Sequence, residues 1–205
     1  MRQRFVTLLV LLLVFASGVE LEKRFQIRDR VLAALPSGQI LSVDELKLGF
    51  ADLIASFQDR ALSKKATKSD LRIRDFVGRV VKVVDGDSIE IVDNRVRYEL
   101  RLAQIDAPEW NQRWGAEASA ALREKIDGKK VLAQVTDIDR YNRLVANLYY
   151  QDRFINSELV VEGHVWVYRR YLDDRSLLKD ERAAKRDKLG LWGASDKPVP
   201  PWDWR

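Results

Sequence analysis

The pattern of apolar and polar positions changes character twice along the chain. Residues 5–16 form an apolar run broken only by Thr7, behind the basic start Met1-Arg2-Gln3-Arg4 and ahead of the small residues Ser17 and Gly18. These are the parts of a secretory signal, and the run is shorter than the ~20 apolar residues a membrane-spanning helix needs. Segment 1–19 is therefore expected to be a signal peptide or a retained membrane anchor, which places the chain outside the cytoplasm, secreted, periplasmic or tethered to the membrane. Residues 21–35 predict one helix, stopped at Pro36-Ser37-Gly38. A second opens with Ser42 and Glu45 at capping-box spacing, and Leu46, Phe50, Leu53, Ile54, Phe57 and Ala61 recur on one helical face. This extension, residues 20–70 with a polar linker at 63–69, carries no chemistry of its own.

From Phe76 the period falls to two. The β-branched stretch 77–84 ends at Asp85-Gly86-Asp87, Ile89 and Ile91 alternate with polar neighbours, and Asp93-Asn94 supplies a turn before a third strand at 96–105. Residues 116–126 predict a helix closed by Asp127-Gly128. Strands are expected at 131–135 and 144–150, a helix at 155–161 ending at Gly163, and a charged helix over 173–188. Three strands, a helix, two strands and further helices predict an α+β domain over 75–193, built as a small barrel rather than a parallel sheet. The tail 194–205, with Trp202 and Trp204, is too short for an element of its own.

Composition narrows the chemistry. Among 205 residues there is no cysteine and one histidine, His164, which excludes disulfide scaffolds and zinc sites built on cysteine or clustered histidine. Any metal must be held by carboxylates and carbonyls, which points to calcium or magnesium. A net charge of +5 favours polyanions such as nucleic acid or an anionic membrane.

Three clusters at strand ends concentrate the candidate groups: Asp85-Gly86-Asp87-Ser88, then Arg101 to Glu109 (Arg-Leu-Ala-Gln-Ile-Asp-Ala-Pro-Glu), then Asp139-Arg140-Tyr141-Asn142-Arg143. Each alone is ordinary turn chemistry. Together, in this order, they resemble the signature segments of staphylococcal-type nucleases, as do Gly115-Ala116-Glu117-Ala118-Ser119, Asn156-Ser157-Glu158-Leu159-Val160 and Lys188-Leu189-Gly190-Leu191-Trp192. The likeness covers residues 76–192 and not the first ~75.

The resemblance implies a five-stranded OB-type Greek-key barrel with about three packed helices, preceded by the N-terminal helical segment, and a calcium ion in a cleft at the barrel's edge. By the same resemblance Asp87 and Asp106 would be its carboxylate ligands and Ala107 a carbonyl ligand, in a position where family members often carry threonine. Arg101 and Arg143 would clamp the scissile phosphate, Glu109 would position or deprotonate the attacking water, and Arg140, Tyr141 and Tyr171 would line the nucleotide pocket. The implied activity is calcium-dependent cleavage of DNA and RNA, single strands preferred, leaving 3′-phosphate ends, with no protein partner. A non-catalytic nucleic-acid-binding OB module would lack one of the carboxylates, arginines or the glutamate, and this chain lacks none. A membrane-tethered scaffold acting through the N-terminal helices is the other alternative.

Strand geometry sets one condition. Strict alternation puts Arg101 on the face opposite Leu100, Leu102 and Asp106, so the strand must bulge, bend or end before Arg101 and Asp106 can meet. Of the other conspicuous side chains, His164 is expected to be a packing residue and Trp192 a cap on the core. Trp110 and Trp114 are open to either packing or base stacking.

Overall fold

A computed structural model describes residues 51–52, 55, 58–193 and 196–205. The expected signal segment and most of the two N-terminal helices lie outside the described residues. The chain divides into two units, Met1–Ala55 and Ser56–Arg205, and the barrel lies wholly in the second. Among the described residues no helix is long and apolar enough to cross a membrane.

Five strands form the barrel: β2 (Phe76–Val83), β3 (Ser88–Asp93), β4 (Val96–Leu102), β6 (Lys130–Ile138) and β7 (Leu144–Tyr150), with β1 (Lys64–Lys65), β5 (Ile105–Asp106), β8 (Arg153–Phe154) and β9 (Trp166–Val167) as two-residue additions. The hydrogen-bonded order β4-β3-β2-β6-β7 closes on itself because β7 also pairs with β4, in parallel, with Leu100 opposite Leu144 and Arg101 opposite Val145. The α+β barrel expected from the sequence is therefore present. Bulges between Val80 and Lys82 and between Val135 and Asp137 give the extra coiling that closure requires. In β4 the period of two is clean, with Tyr98, Leu100 and Leu102 buried between outward-facing neighbours.

The apolar interior continues from the barrel into the helices. Helix α1 (Gly115–Ile126) buries Ala118, Leu122 and Ile126 at spacings of four, and Glu117 in its first turn with Arg123 and Lys125 in its last suits the helix dipole. It stops where Gly128 takes a left-handed conformation (φ 73°), which suits a residue without Cβ. Helix α2 (Ile155–Val161) adds Ile155, Leu159 and Val160, and α3 (Leu177–Arg186) adds Leu177. Each such side chain, fully buried, contributes about 1.5–3 kcal/mol of transfer free energy.

Several boundaries differ from the sequence expectation, each for a local reason. The third strand ends at Leu102 rather than at 105, because Gln104 turns left-handed (φ 66°) and Ile105–Asp106 pairs with β9 outside the barrel. The fourth barrel strand runs to Ile138, because the bulge after Val135 lets it continue pairing with β7. The charged helix starts at Leu177 rather than near 173, because the amides of Asp173 and Asp174 both donate to Gln104 Oε1 (2.9 and 2.6 Å). The stretch 63–69, expected as a linker, instead lays Lys64–Lys65 beside Val96–Arg97. The tail, expected to form no element, makes a helical turn, α4 (Pro201–Trp204).

Asn156 ties these parts together. It is fully buried; its Oδ1 accepts from Leu148 N (2.9 Å) and its Nδ2 donates to Ala103 O (2.9 Å), joining α2, β7 and the corner after β4. Asn156→Ala strands a buried amide and a buried carbonyl and is expected to cost about 2–4 kcal/mol, measured by urea unfolding of the purified chain.

Candidate active site

Three strand ends meet at the rim of the barrel. The Asp85–Ser88 turn enters β3, the corner 103–109 leaves β4, and the loop 139–143 enters β7, the strand that lies against β4. Ser88 sits opposite Arg101 in the β3–β4 ladder, and Leu102 N donates to Asp87 O (2.8 Å), so the first turn is fixed against the strand that carries the arginine. After Leu102 the chain leaves the barrel sheet, turns at Ala103–Gln104, and re-enters extended structure as β5 against β9. That change of sheet satisfies the condition set by strand parity, and Arg101 and Asp106 face one another across it.

Arg101 is the hub. One terminal nitrogen donates to Asp87 Oδ1 at 2.6 Å and the other to Asp106 Oδ1 at 2.5 Å. Burial works against the charge on this guanidinium, but Asp87 and Asp106 outweigh it and hold Arg101 protonated. Asp87 Oδ1 also accepts from Ser88 Oγ (3.0 Å), and its Oδ2 accepts from Ala107 N (2.8 Å). Asp106 has no solvent exposure. Burial, then the neighbouring charge of Asp87, raises its pKa, against Arg101 and Arg205.

This convergence depends on close backbone approach at two glycines. A Cβ on Gly86 would stand 2.7 Å from the Ala107 Cβ and 2.8 Å from the Ala118 Cβ, so only glycine lets the Asp87 turn press onto the Ala107 loop. A Cβ on Gly115 would stand 2.0 Å from Glu109 O, so the start of α1 lies directly under the loop that presents Glu109.

The donor set can be tested against a metal. Asp106 Oδ2 is buried without a hydrogen-bond partner, beside the carboxylate of Asp87 and the backbone of Ala107. An unpartnered buried carboxylate oxygen is costly unless a cation meets it. Oxygen donors alone suit calcium or magnesium. Among the described residues no group of three or more histidine, cysteine, aspartate or glutamate side chains converges on one point.

The third cluster stands apart from these contacts. Arg143 Nε pairs with Asp139 Oδ2 at 2.8 Å, and Arg140 donates to the Tyr141 hydroxyl at 2.6 Å. The guanidinium carbons of Arg140 and Arg143 lie 4.7 and 5.5 Å from the Tyr141 ring centre, and that ring is 61% exposed. Tyr171 lies further along the chain, exposed and edge-on to Tyr168 at 5.3 Å. Trp110 is 82% exposed. Trp114 instead packs, and its indole N–H donates to His164 Nδ1 at 3.2 Å. His164, partly buried, loses basicity to desolvation.

Two groups at this rim were given no role from the sequence. Asp85 lies beside Asp87, and burial together with that neighbouring charge pushes its carboxyl up to about 6. Arg205 Nε donates to Glu109 Oε1 and its terminal nitrogen to Asp106 Oδ1, both at 2.5 Å. The sequence signal for the tail was the pair Trp202 and Trp204, large apolar side chains that a short segment can bury only by docking.

A family model for the staphylococcal nuclease homologues matches residues 99–194, from within β4 onward, leaving Asp87 and the first two barrel strands outside the matched span. An uncharacterised endonuclease of Escherichia coli O157:H7 is 40% identical over 132 residues, 64% of this chain and 86% of that protein. A micrococcal nuclease of Shigella flexneri is 35% identical over 142 residues, 64% of this chain and 81% of its own length. The chain belongs to the staphylococcal nuclease family. A probable staphylococcal-like nuclease of Oryza sativa subsp. japonica is 38% identical over 109 residues, 53% of this chain and 29% of that longer protein. Membership of the staphylococcal nuclease family makes the protein a hydrolase of the nuclease class.

Asp139 offers a test of how the third cluster is held. Its Oδ1 accepts from Tyr141 N and Arg143 N (both 2.9 Å) and its Oδ2 from Arg143 Nε. Burial alone would raise its pKa, but the hydrogen bonds and charge of Arg143 outweigh it and lower the value. A depressed carboxylate adds stability that is present above the unfolded-state pKa and is lost as pH falls through the folded-state value. Asp139→Asn is therefore expected to cost roughly 1–2 kcal/mol at pH 7, with the gap to the parent closing as the pH drops below the usual aspartate range, followed by urea unfolding at several pH values.

Proposed function

We propose that the protein is a calcium-dependent endonuclease that hydrolyses phosphodiesters in DNA and RNA with little sequence specificity and a preference for single strands. The observation that carries this reading is Arg101 bridging Asp87 and Asp106, with the second oxygen of Asp106 buried and unpartnered. That geometry supports a guanidinium for the phosphoryl group and a carboxylate pair for a hard cation acting side by side. Asp87, Asp106 and the carbonyl of Ala107 would hold calcium, which when bound supplies a template and Lewis acid for the phosphate.

The chain's own groups then divide the work. A phosphodiester repels an incoming hydroxide, and further charge gathers on its oxygens as water attacks. Arg101 and Arg143 bind those oxygens as planar forks, a geometry lysine cannot copy. Asp139 engages Arg143 through Nε, so the terminal nitrogens would be the ones to meet the phosphate. Glu109 orients the water and takes its proton as the new P–O bond forms and the P–O5′ bond breaks, a role worth typically ~10²–10⁴-fold. Arg140 and the exposed ring of Tyr141 form a stacking platform for an unpaired base, which supports the single-strand preference. Tyr171, exposed beside Tyr168, would extend that platform.

Purified full-length chain should cleave denatured DNA faster than duplex when calcium is present, and should stop in excess chelator. Undiminished cleavage in chelator refutes the metal assignment. Magnesium should support cleavage poorly, since it requires tighter octahedral geometry and gives up its waters reluctantly.

The two arginines of the third cluster should separate kinetically. Arg143→Lys keeps the charge but loses the fork, and should lose roughly 2–4 kcal/mol of barrier lowering, seen in kcat. Arg140→Lys should keep near-parental kcat on saturating denatured DNA and change KM instead. The opposite pattern, in chains shown by circular dichroism to be folded, overturns this division of roles.

A further inference from the structure

The segment 196–205 brings a third guanidinium to the barrel rim, and several contacts hold it there. The Trp202 ring stacks on Tyr168 (5.6 Å between centres, 17° between planes) and meets Trp166 edge-on at 5.7 Å. Trp204 Nε1 donates to Asn111 Oδ1 at 3.2 Å, and Gln112 Nε2 donates to Val199 O at 2.5 Å. Pro201 is buried and opens the helical turn, where a missing amide hydrogen costs nothing. The strap therefore docks on both sides of the loop that presents Glu109, since Trp166 lies opposite Asp106 in the β5–β9 pair while Asn111 and Gln112 follow Glu109 in the chain.

At its end Arg205 spans two carboxylates. Its Nε donates to Glu109 Oε1 and its terminal nitrogen to Asp106 Oδ1, each at 2.5 Å. Glu109 is a partly exposed side chain with three rotatable bonds, and the ion pair with Arg205 fixes its direction. At Asp106, Arg205 shares Oδ1 with Arg101, and Oδ2 is left unpartnered.

We infer that Arg205 is a positioning residue: by bridging Glu109 and Asp106 it fixes the spacing of the water-activating carboxylate from the cation-binding one, and so makes the strap part of the catalytic centre. This rests on the nuclease reading given above. The bridge needs two donors in a fixed fork, one for each carboxylate, which a single ammonium point charge does not provide. Its effect on rate comes through the placement of Glu109, and misplacement by about 1 Å can cost on the order of 10²-fold.

The test uses the full chain with calcium and denatured DNA, comparing the parent, Arg205→Ala, Arg205→Lys, Glu109→Gln and the Glu109→Gln/Arg205→Ala double variant. Folding is checked by thermal melting, and Arg205→Lys, which keeps the charge and most of the stem, serves if the alanine variant melts early. Expected are a fall in kcat of roughly 100-fold for Arg205→Ala, KM within about twofold of the parent, and little recovery in Arg205→Lys. In the Glu109→Gln background, Arg205→Ala should add no further loss, because a residue acting through Glu109 has nothing left to position. Calcium affinity by calorimetry should hold or tighten in Arg205→Ala, since a like charge has been removed from beside Asp106.

Parental kcat in Arg205→Ala overturns the inference. So does a loss of equal size with and without Glu109, which would make Arg205 a substrate contact. A rise in kcat would make the strap inhibitory, and weakened calcium binding would reduce Arg205 to scaffolding for Asp106; either overturns it. Cleavage by the parent upholds the nuclease reading whatever the Arg205 variants do, so the two conclusions fail separately.

Discussion

Everything at the barrel rim depends on one desolvated ion cluster, Arg101 between Asp87 and Asp106. Taking three charges out of water is expensive, and the expense is offset only when each charge meets its opposite with good geometry. Asp106 is fully buried and Asp87 nearly so, so neither is stable there without the guanidinium. The surroundings serve that requirement: Gly86 admits the close approach, Ser88 Oγ and Ala107 N each donate to Asp87, and the corner at Gln104 turns Asp106 to face Arg101. Two buried carboxylates share one part-buried guanidinium, with Arg205 arriving at the half-exposed edge.

The corner after β4 does more than redirect the chain. Gln104 uses its backbone carbonyl on Tyr168 N, its side-chain oxygen on Asp173 and Asp174, and its amide nitrogen on Asn147. Asn156 holds the preceding carbonyl from below. Two amides, one exposed to neither water nor ligand, thus convert a strand end into a fixed joint that also dictates where α3 begins. The precision of the site comes from this buried polar network as much as from the apolar core beneath it.

Much of this was legible in the sequence. The alternation in 76–102 gave the first three barrel strands, the stretch 116–126 with its stop at Asp127-Gly128 gave α1, and parity arithmetic on Arg101 and Asp106 required a break that the structure places at Ala103–Gln104. What could not be read were consequences of non-local partners. The late start of α3 follows from Gln104, a residue far away in sequence that no periodicity connects to Asp173. The pairing of Lys64–Lys65 with β4 involves too few residues to leave a pattern. Arg205 was missed because a lone arginine after two tryptophans has no local signature of chemistry; its meaning lies in what the tryptophans dock against. Arg143 was expected at the phosphate and Tyr141 at the nucleotide pocket; the partners the fold itself supplies them, Asp139 and Arg140, lie within the same loop.

The parallel seam between β4 and β7 has a consequence for when this protein acquires its activity. Parallel pairing between distant segments carries a large loop-closure cost and is characteristically slow to form. The Arg101–Glu109 corner hangs from one side of that seam and the Asp139–Arg143 loop from the other, so an open sheet contains every reactive group yet holds none of the two loops in register. Closing the cylinder and bringing these two loops into register are thus the same event, and a chain that is still threading, or has been pried open, carries the full set of side chains without that arrangement.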